Sequence, residues 1–356
     1  MKNLWSKKDS LRLSELDTLV YQSRLIGAEP SLVLWGGGNT SLKVTEKDFR
    51  GLDCQVLRVK GSGTDMKSIE RADFPGVMLN DVLALLTRED MSDDVMVAYL
   101  NHCLMEPNAP RPSIETLLHA FIPHKSIVHS HADAILSITN THKPEALIGN
   151  AFGNSVTVVR YLRPGFLLSK EVAMSARNNP HTRGVILLNH GLVTWGDTPG
   201  EAYDNHIYIV SQAEDFVEQS RKNRNAFKQT SRVRLNHIQR YQAALSIAPT
   251  IRGLVSQQQR AILRFEHGDD VMEFVNSSDA EFLTKLGAAT PDHLMNTKQM
   301  PLLIDVTDPH DIDAVKENIN TGIIDYANAY KKWFTSHSDS HHHMLNPLPR
   351  VVLISG

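Results

Sequence analysis

The triplet His129-Ser130-His131 is the sequence feature that most constrains how this chain can fold. It closes a short apolar run that predicts a buried strand, and on a strand the side chains at i and i+2 share one face, roughly 6.5–7 Å apart. A third histidine, His190, follows the apolar run at residues 185–188. If the two strands end side by side, three imidazoles can bind one ion and leave a fourth position open, as in catalytic zinc sites. Chance is the alternative explanation, because the chain contains 17 histidines.

Charge and cysteine content narrow the class of protein. The 37 basic and 40 acidic residues are mixed along the sequence and leave a net charge of −3, which offers no basic surface to nucleic acid. Two cysteines imply no disulfide framework. The N-terminus lacks a hydrophobic signal core, and no apolar stretch approaches the roughly 20 residues that span a bilayer. We therefore expect a soluble, cytoplasmic protein without nucleic-acid or membrane partners.

The length of 356 residues allows one large domain or two, and the pattern favours a first domain over residues 1–225. After a helix that Ser14 caps and Gly27 ends, the first domain alternates predicted strands and helices. Strands are predicted at residues 32–35, 41–44, 55–60, 127–128, 155–161, 184–188 and 192–195, and helices at residues 81–86, 94–105, 114–121, 170–177 and 201–225. The hairpin-like spacing of the early strands indicates antiparallel pairing.

Residues 226–356 predict a mixed accessory region. Helical patterns occur near residues 251–265 and 280–286, and an apolar strand is predicted at residues 301–306. Residues 336–343 are polar, end in three histidines and predict a solvated loop. The final run at residues 349–356 echoes residues 183–188, so this region can be interpreted as a degenerate partial repeat.

Two glycine-rich turns precede the histidines. Residues 36–41 and 60–64 each place bare backbone N–H groups beside Ser, Thr or Lys, which is typical of an anion cradle. Neither turn has the spacing of a P-loop, and the chain contains no Gly-x-Gly-x-x-Gly, so a nucleotide is not indicated. Two ordinary hairpin turns are the alternative.

Between these turns and the histidines, Ser113 can cap a helix and Glu115 falls in its first turn. Such a carboxylate often compensates the helix dipole. Beside a metal it could also act as a general base that moves a proton on carbon.

The order of these motifs resembles the class II aldolase/adducin family. Gly-Asn-x-Ser, Lys-x-Ser-Gly, Ser-x-Glu, His-x-His and His-Gly follow one another over about residues 10–225. The resemblance implies a class II aldolase-like three-layer α/β/α sandwich around a mainly antiparallel sheet. It also implies a zinc-dependent carbon–carbon lyase of carbohydrate metabolism that acts on a sugar phosphate, in a homotetramer with active sites between subunits. Another divalent transition metal could replace zinc.

The resemblance also assigns roles to individual residues. It gives His129, His131 and His190 as metal ligands, Glu115 and Tyr161 as catalytic residues, and Asn39, Ser41, Ser62, Gly63 and Ser113 as the residues that hold the substrate phosphate. Two departures stand out. Arg160 occupies the place of the family's proline before Tyr161, and Ile114 replaces a serine, which removes one phosphate hydroxyl. The phosphate could therefore be held differently, or the substrate could lack a phosphate.

A narrower resemblance extends beyond residue 225. Gly287-Ala288-Ala289-Thr290-Pro291-Asp292-His293, with Thr297-Lys298 after it, resembles the aldolase portion of bifunctional rhamnulose-1-phosphate aldolase/short-chain dehydrogenase proteins. The nucleotide-binding glycine motif of the dehydrogenase is absent from this chain, which leads us to expect an aldolase part without its dehydrogenase. His293 and Lys298 have either a structural or a ligand-binding role.

The expected reaction is cleavage of a ketose 1-phosphate of the rhamnulose or fuculose type to dihydroxyacetone phosphate and a small aldehyde such as lactaldehyde. Two enzymatic alternatives remain open, a pentulose-phosphate 4-epimerase and a metal-dependent decarboxylase. A metal-free adducin-like scaffold is the non-enzymatic alternative, and the three histidines argue against it.

Overall fold

A computed structural model describes residues 1–222, 226–228, 233–257, 259–339 and 342–356. The chain forms two compact units. The first consists of Met1–Lys222 and Thr290–Asp292, and the second consists of Asn223–Ala289 and His293–Gly356. Within the described ranges, no helix combines the length and the apolar character needed to cross a membrane.

The first unit is built on a sheet of seven described strands. They are β1 (Asn39–Lys47), β2 (Asp53–Val59), β3 (Gly76–Met78), β4 (Ser126–Ser130), β5 (Val156–Val159), β6 (Gly184–Leu187) and β7 (Gly191–Gly196). Their order across the sheet is β3-β2-β1-β4-β7-β6-β5, and only the β5–β6 pair is parallel among the pairs of this described sheet. The predicted mainly antiparallel sheet is confirmed.

Helices cover both faces of this sheet. The described helices of the first unit are α1 (Lys7–Ser10), α2 (Glu15–Gly27), α3 (Leu79–Leu83), α4 (Asp93–His102), α5 (Thr116–Phe121), α6 (Asp133–Thr139), α7 (Pro144–Phe152), α8 (Phe166–Asn178) and α9 (Pro199–Arg221). Adjacent residues of β4 point to opposite faces. Ile127 packs in a cluster with residues of α5 and α8, whereas Val128 packs with residues of α6, α7 and α9. The three-layer α/β/α sandwich is therefore confirmed.

The strand predicted at residues 32–35 is wrong. Leu32 and Val33 are buried as the pattern suggested, but their N–H groups bond to the carbonyl oxygen of Glu29 rather than to a neighbouring strand. Trp35 takes a positive φ of 50°, which a strand does not allow. The apolar run is thus a buried turn, because burial alone does not distinguish a strand from a packed loop.

The second unit contains long helices around a small sheet. Its described elements are α10 (His237–Val255), α11 (Asp269–Val275), α12 (Ala280–Thr284), β8 (Leu302–Ile304), α14 (Ile312–His337) and β9 (Val352–Ile354); α13 (Pro291–Thr297) begins in the segment assigned to the first unit. Strands β8 and β9 pair in parallel, with Leu303 opposite Leu353. Ile251, Ile304 and Ile319 belong to the apolar core of this unit.

Several predictions in and near this region need correction. The helix near residues 251–265 is wrong beyond Val255, where α10 ends, because the later apolar residues find no buried face: Ile262 is 99% exposed. The polar segment at 336–343 begins inside α14, which runs to His337, and residues 340–341 lie outside the described ranges. Residues 223–225, predicted as the end of the helix that is α9, also lie outside them.

We expect Gly191→Ala to destabilise the first unit. A Cβ at this position would lie 2.1 Å from the carbonyl oxygen of Ser130 in the neighbouring strand, so β4 and β7 would have to separate. Overpacking of this kind costs about 1–3 kcal/mol of unfolding free energy. Thermal and urea unfolding of the metal-free protein measure the loss.

Gly149→Ala is the matched control. Gly149 lies inside α7, and its added Cβ would meet no heavy atom within 4 Å. Alanine is the better helix former by about 0.5–1 kcal/mol, so this variant should unfold at the same or a higher temperature. Equal stability of the two variants would contradict the close approach of the strands at Gly191.

Candidate metal centre

Strand β4 carries the first two histidines into the middle of the sheet. It lies between β1 and β7, where His129 is opposite Asn39 on one side and Val193 on the other. His131 stands just beyond the end of β4, and its N–H bonds to the carbonyl oxygen of Leu32 in the buried turn. This bond fixes the chain where it leaves the sheet, so the His131 imidazole has a defined direction.

A tight turn between β6 and β7 carries the third histidine. Asn189 takes a positive φ of 56°, a conformation that asparagine tolerates better than most residues. The N–H of His190 bonds to the carbonyl oxygen of Leu187, which closes the turn. Gly191 then allows β7 to approach β4. Each residue of Asn189-His190-Gly191 therefore contributes to the structure of this turn.

The three imidazoles converge. His129, His131 and His190 are buried, and each offers a ligand atom within 4.8 Å of the other two. The Nε2 atoms of His129 and His131 are 3.1 Å apart. Two nitrogens bound to one tetrahedral zinc lie about 3.3 Å apart, given a Zn–N bond of about 2.0–2.1 Å. The spacing therefore fits a shared metal ion.

Hydrogen bonds determine which nitrogen of the His129 ring and of the His131 ring carries a proton. His129 donates through Nδ1 to the carbonyl oxygen of Leu192 at 2.9 Å, and His131 donates through Nδ1 to Asp292 at 2.7 Å. With Nδ1 as the donor in both rings, the two Nε2 atoms face each other and are the atoms that a cation between them would bind. Burial lowers the pKa of His129, and it lowers the pKa of His190 to about 3, so both rings are neutral at pH 7 and suited to bind metal.

Glu115 stands beside the imidazoles at the start of α5. Its Oε1 lies 3.3 Å from Nε2 of His190, and its Oε2 lies 3.5 Å from Nε2 of His129. Burial raises the pKa of Glu115, but the positive charge that protonated histidines would place beside it and a hydrogen bond from Asn39 lower this pKa by more. Oε1 is buried and has no hydrogen-bond partner among the described residues. A buried carboxylate oxygen of this kind fits a neighbouring cation or an acidic proton of a ligand.

A chain of hydrogen bonds holds the other oxygen of Glu115. Asn39 donates its amide to Oε2 at 2.7 Å, so its Oδ1 must accept, and it does so from Nε2 of His119. Nδ1 of His119 then accepts from the hydroxyl of Ser41 at 2.7 Å. Burial lowers the pKa of His119 to about 3, which keeps this ring neutral. Sequence reasoning missed His119, although its i, i+4 spacing from Glu115 was the available signal.

The two predicted anion cradles lie together. The buried Lys60 donates through Nζ to the carbonyl oxygen of Gly36 at 2.9 Å, which links the first turn to the second. A hydrogen bond joins the second turn to the segment before α5: the N–H of Ser113 bonds to the carbonyl oxygen of Lys60. Asn39 donates to Oγ of Ser113 at 3.3 Å. The structure thus joins both turns, Asn39 and Ser113 in one region beside Glu115.

The other predicted site residues differ in exposure. Ser62 and Gly63 are exposed at the tip of the second turn, whereas Ser41 is fully buried beneath it. Ile114 packs against the apolar cluster around α5. Tyr161 is 58% exposed, and no contact described in the structure joins it to the histidines. The roles assigned to Ser41, Tyr161 and the other site residues stay predictions.

A buried set of three imidazoles beside a carboxylate, on an α/β/α sandwich, is typical of a metal-dependent enzyme. The sequence model described as "Class II Aldolase and Adducin N-terminal domain" matches residues 17–217, and the model described as "Aldolase class II, second domain" matches residues 242–356. The chain belongs to the class II aldolase/adducin family. The resemblance stated from the motifs is therefore confirmed, and the matches to both class II aldolase models support the expected class of enzyme.

Two individual proteins are similar to this chain at 40% identity or more. The chain is 40% identical over 358 residues to the "Uncharacterized oxidoreductase YuxG" of Bacillus subtilis (strain 168), all of this chain aligning with 52% of that protein. The chain therefore spans about half the length of that relative. A structure of the N-terminal class II aldolase domain of a conserved Thermoplasma acidophilum protein is 49% identical, with a TM-score of 0.57, over 61% of this chain and 99% of that one.

A third similarity is more distant. The crystal structure of l-fuculose-1-phosphate aldolase from Thermus thermophilus is 17% identical, with a TM-score of 0.37, over 57% of this chain and 95% of that one. This similarity is too low to indicate a substrate.

A buried histidine outside the cluster leads to a prediction about pH. Nε2 of His206 bonds to Oγ of Ser130 at 2.7 Å, and its Nδ1 bonds to Oγ1 of Thr194 at 2.9 Å. Burial lowers the pKa of His206 to about 3, below the value of about 6.5 in an unfolded chain. The unfolded chain therefore binds more protons between these values, and the free energy of unfolding falls as the pH drops from 6.5 toward 3. We expect His206→Gln to reduce this fall, as measured by urea unfolding at pH 7 and pH 5 in EDTA.

The control for this measurement is His181→Gln. His181 is exposed, so its replacement should leave the difference between the two pH values unchanged. An acid-induced loss in His206→Gln that equals the loss in the unmodified protein would show that His206 does not contribute to it.

Proposed function

We propose that this chain is a zinc-dependent aldolase that cleaves a ketose 1-phosphate of the rhamnulose or fuculose type. The products would be dihydroxyacetone phosphate and a small aldehyde such as lactaldehyde. The observation that carries the proposal is the position of Glu115, which is buried, ionised and within 3.5 Å of Nε2 atoms of both His129 and His190. Family membership supports the reaction class, and His131 completes the ligand set.

Zinc held by His129, His131 and His190 would supply a Lewis acid that polarises the substrate carbonyl and stabilises the enediolate. In the cleavage direction Glu115 gives a proton to the carbon where the bond breaks, and the proton released by the substrate hydroxyl that becomes the aldehyde balances it. The unpartnered Oε1 of Glu115 faces the cluster, where this transfer would occur. Asn39 holds Oε2 by a hydrogen bond, which keeps the carboxylate in one orientation. The carboxyl group of Glu115 is thus positioned before substrate arrives, which is the condition for efficient proton transfer.

The joined glycine turns are the proposed phosphate site. At the tip of one turn, Ser62 exposes its hydroxyl and Gly63 its backbone, and the Lys60 ammonium group adds a positive charge beneath them. Ser113 and Asn39 border the same region. We include Ser41 in this site through its link to His119 and Asn39. Ile114 supplies no hydroxyl, so this site has one donor fewer than the resemblance implies.

Tyr161 is the proposed group that exchanges the proton on the aldehyde oxygen, and in the cleavage direction it takes the proton from the substrate hydroxyl that becomes the aldehyde. Its exposure in a single chain is consistent with a role in the active site of a neighbouring copy in a homotetramer. Light scattering of the purified protein tests the oligomeric state, and Tyr161→Phe tests the proton transfer.

A cleavage screen tests the proposed function as a whole. The zinc-reconstituted protein is offered ketose 1-phosphates and their unphosphorylated parents, and free aldehyde is measured. Aldehyde release from a ketose 1-phosphate is the expected result. Interconversion of pentulose phosphates without free aldehyde would instead identify an epimerase, and release of carbon dioxide from an acid substrate would identify a decarboxylase. Elemental analysis that finds no metal would favour the scaffold.

We expect Glu115→Gln to lower kcat by roughly 10²–10⁴-fold while zinc stays bound, because the amide cannot transfer a proton to the carbon. Steady-state aldehyde release and elemental analysis of the same sample check both parts. Glu89→Gln is the control, since Glu89 is exposed, and it should leave both values unchanged. Full activity of Glu115→Gln would remove Glu115 from the proposed role.

We expect Ser62→Ala to raise the KM for the phosphorylated ketose about tenfold, as for the loss of one hydrogen bond to a charged group. The KM for the unphosphorylated parent should not change. Ser68→Ala, at an exposed serine farther along the chain, is the control. An equal rise in KM for both substrates would place Ser62 outside the phosphate site.

A further inference from the structure

One metal-ligand candidate depends on a carboxylate that lies far from it in the sequence. Oδ1 of Asp292 accepts a 2.7 Å hydrogen bond from Nδ1 of His131, and Oδ2 accepts a 2.8 Å hydrogen bond from the N–H of Leu34. Asp292 is only 1% exposed, and its side chain packs over the first glycine turn. A Cβ on Gly37 would lie 1.7 Å from Oδ1, so the absence of a side chain there creates the space that this oxygen occupies.

The location of Asp292 is also informative. It belongs to the compact unit that holds the histidines, through the short segment Thr290–Asp292. Yet it falls within residues 242–356, which match the second-domain sequence model, and outside residues 17–217, which match the N-terminal one. The histidine cluster therefore receives a hydrogen-bond acceptor from a part of the chain that the N-terminal family domain does not include.

We propose that Asp292 is a positioning residue for the metal centre, which holds the His131 ring in the orientation and tautomer that direct Nε2 to the metal. The proposal rests on the zinc site of the proposed function and deepens it. A carboxylate that accepts from the outer nitrogen of a ligating histidine fixes the ring and makes the inner nitrogen a stronger donor. His129 has only a neutral carbonyl in this position, so the two histidines are supported differently.

The same carboxylate couples the metal centre to the buried turn that leads into the first glycine turn. Because Asp292 bonds to both His131 and Leu34, displacement of the turn moves the acceptor of His131. Gly37 is required at the contact, since any larger residue occupies the position of Oδ1. The packing of the Asp292 carboxylate therefore explains why position 37 is a glycine, independently of the backbone conformation there.

The test measures zinc affinity in the full chain by competition with a chromophoric chelator. Replacement of an outer hydrogen-bond partner lowers metal affinity by about 10–100-fold, and we expect this loss in Asp292→Ala. Asp292→Asn should lose less, because its carbonyl oxygen can still accept from Nδ1 of His131. Unfolding of the metal-free variants is measured alongside, since a purely structural role would lower stability and leave zinc affinity unchanged.

A double-mutant cycle with Gly37→Ala isolates the contact. Alone, this substitution should also weaken zinc binding, because the added methyl displaces the carboxylate. In the Asp292→Ala background the space is empty, so the same methyl should cause little further loss. Additive losses would show that the two positions act independently and would overturn the proposed contact.

The outcomes separate this proposal from the proposed function. Cleavage activity is not the readout, so absence of activity on every ketose tested would leave the zinc measurement intact. Zinc affinities of Asp292→Ala and Asp292→Asn that both equal the affinity of the unmodified protein would overturn the role of Asp292 alone. An unmodified protein that binds no zinc would overturn both proposals. The positioning role of Asp292 would be supported by weaker zinc binding in Asp292→Ala, partial recovery in Asp292→Asn and a non-additive cycle.

Discussion

The pairing of β4 with β7 is the interaction on which the rest of the site depends. This register sets Ser130 opposite Leu192 and brings the turn before β7 beside the end of β4. The carbonyl oxygen of Leu192 then accepts from His129, and Gly191 lets the two backbones approach closely. Because side chains alternate along a strand, a shift of one residue would turn His129 to the other face. The sheet therefore determines both which imidazoles meet and which nitrogens face each other.

Burial determines the chemistry of the histidine cluster, and it also costs folding free energy. Neutral imidazoles are favoured in the interior, and each outer nitrogen that lacks a partner weakens the fold. His129 and His131 have acceptors, whereas Nδ1 of His190 is buried without a partner among the described residues. Glu115 adds an ionised group with one unpartnered oxygen. A bound cation would offset this charge, so metal binding and folding of the first unit should stabilise each other.

Sequence reasoning succeeded where the chemistry is local and failed where it depends on distant contacts. The i, i+2 spacing of His129 and His131 follows from strand geometry, and the fold class follows from alternating patterns and the order of motifs. Asp292 could not be predicted as a partner of His131, because 161 residues separate them and no periodicity relates them. The buried turn at residues 32–35 was mistaken for a strand for a related reason: its hydrogen-bond partners are determined by tertiary structure.

The hydrogen bonds of Asn39 connect the two halves of the proposed site. Its amide donates to Glu115 and to Ser113, and its carbonyl oxygen accepts from His119, so all its polar atoms have partners. If a phosphate binds here, Asn39 must exchange one of these bonds. The bond to Ser113, at 3.3 Å, is the weaker of the two donated bonds, and the bond to Glu115, at 2.7 Å, is the stronger. Exchange at Ser113 would therefore admit the phosphate without releasing the carboxylate, and phosphate binding would leave the orientation of the proposed base intact.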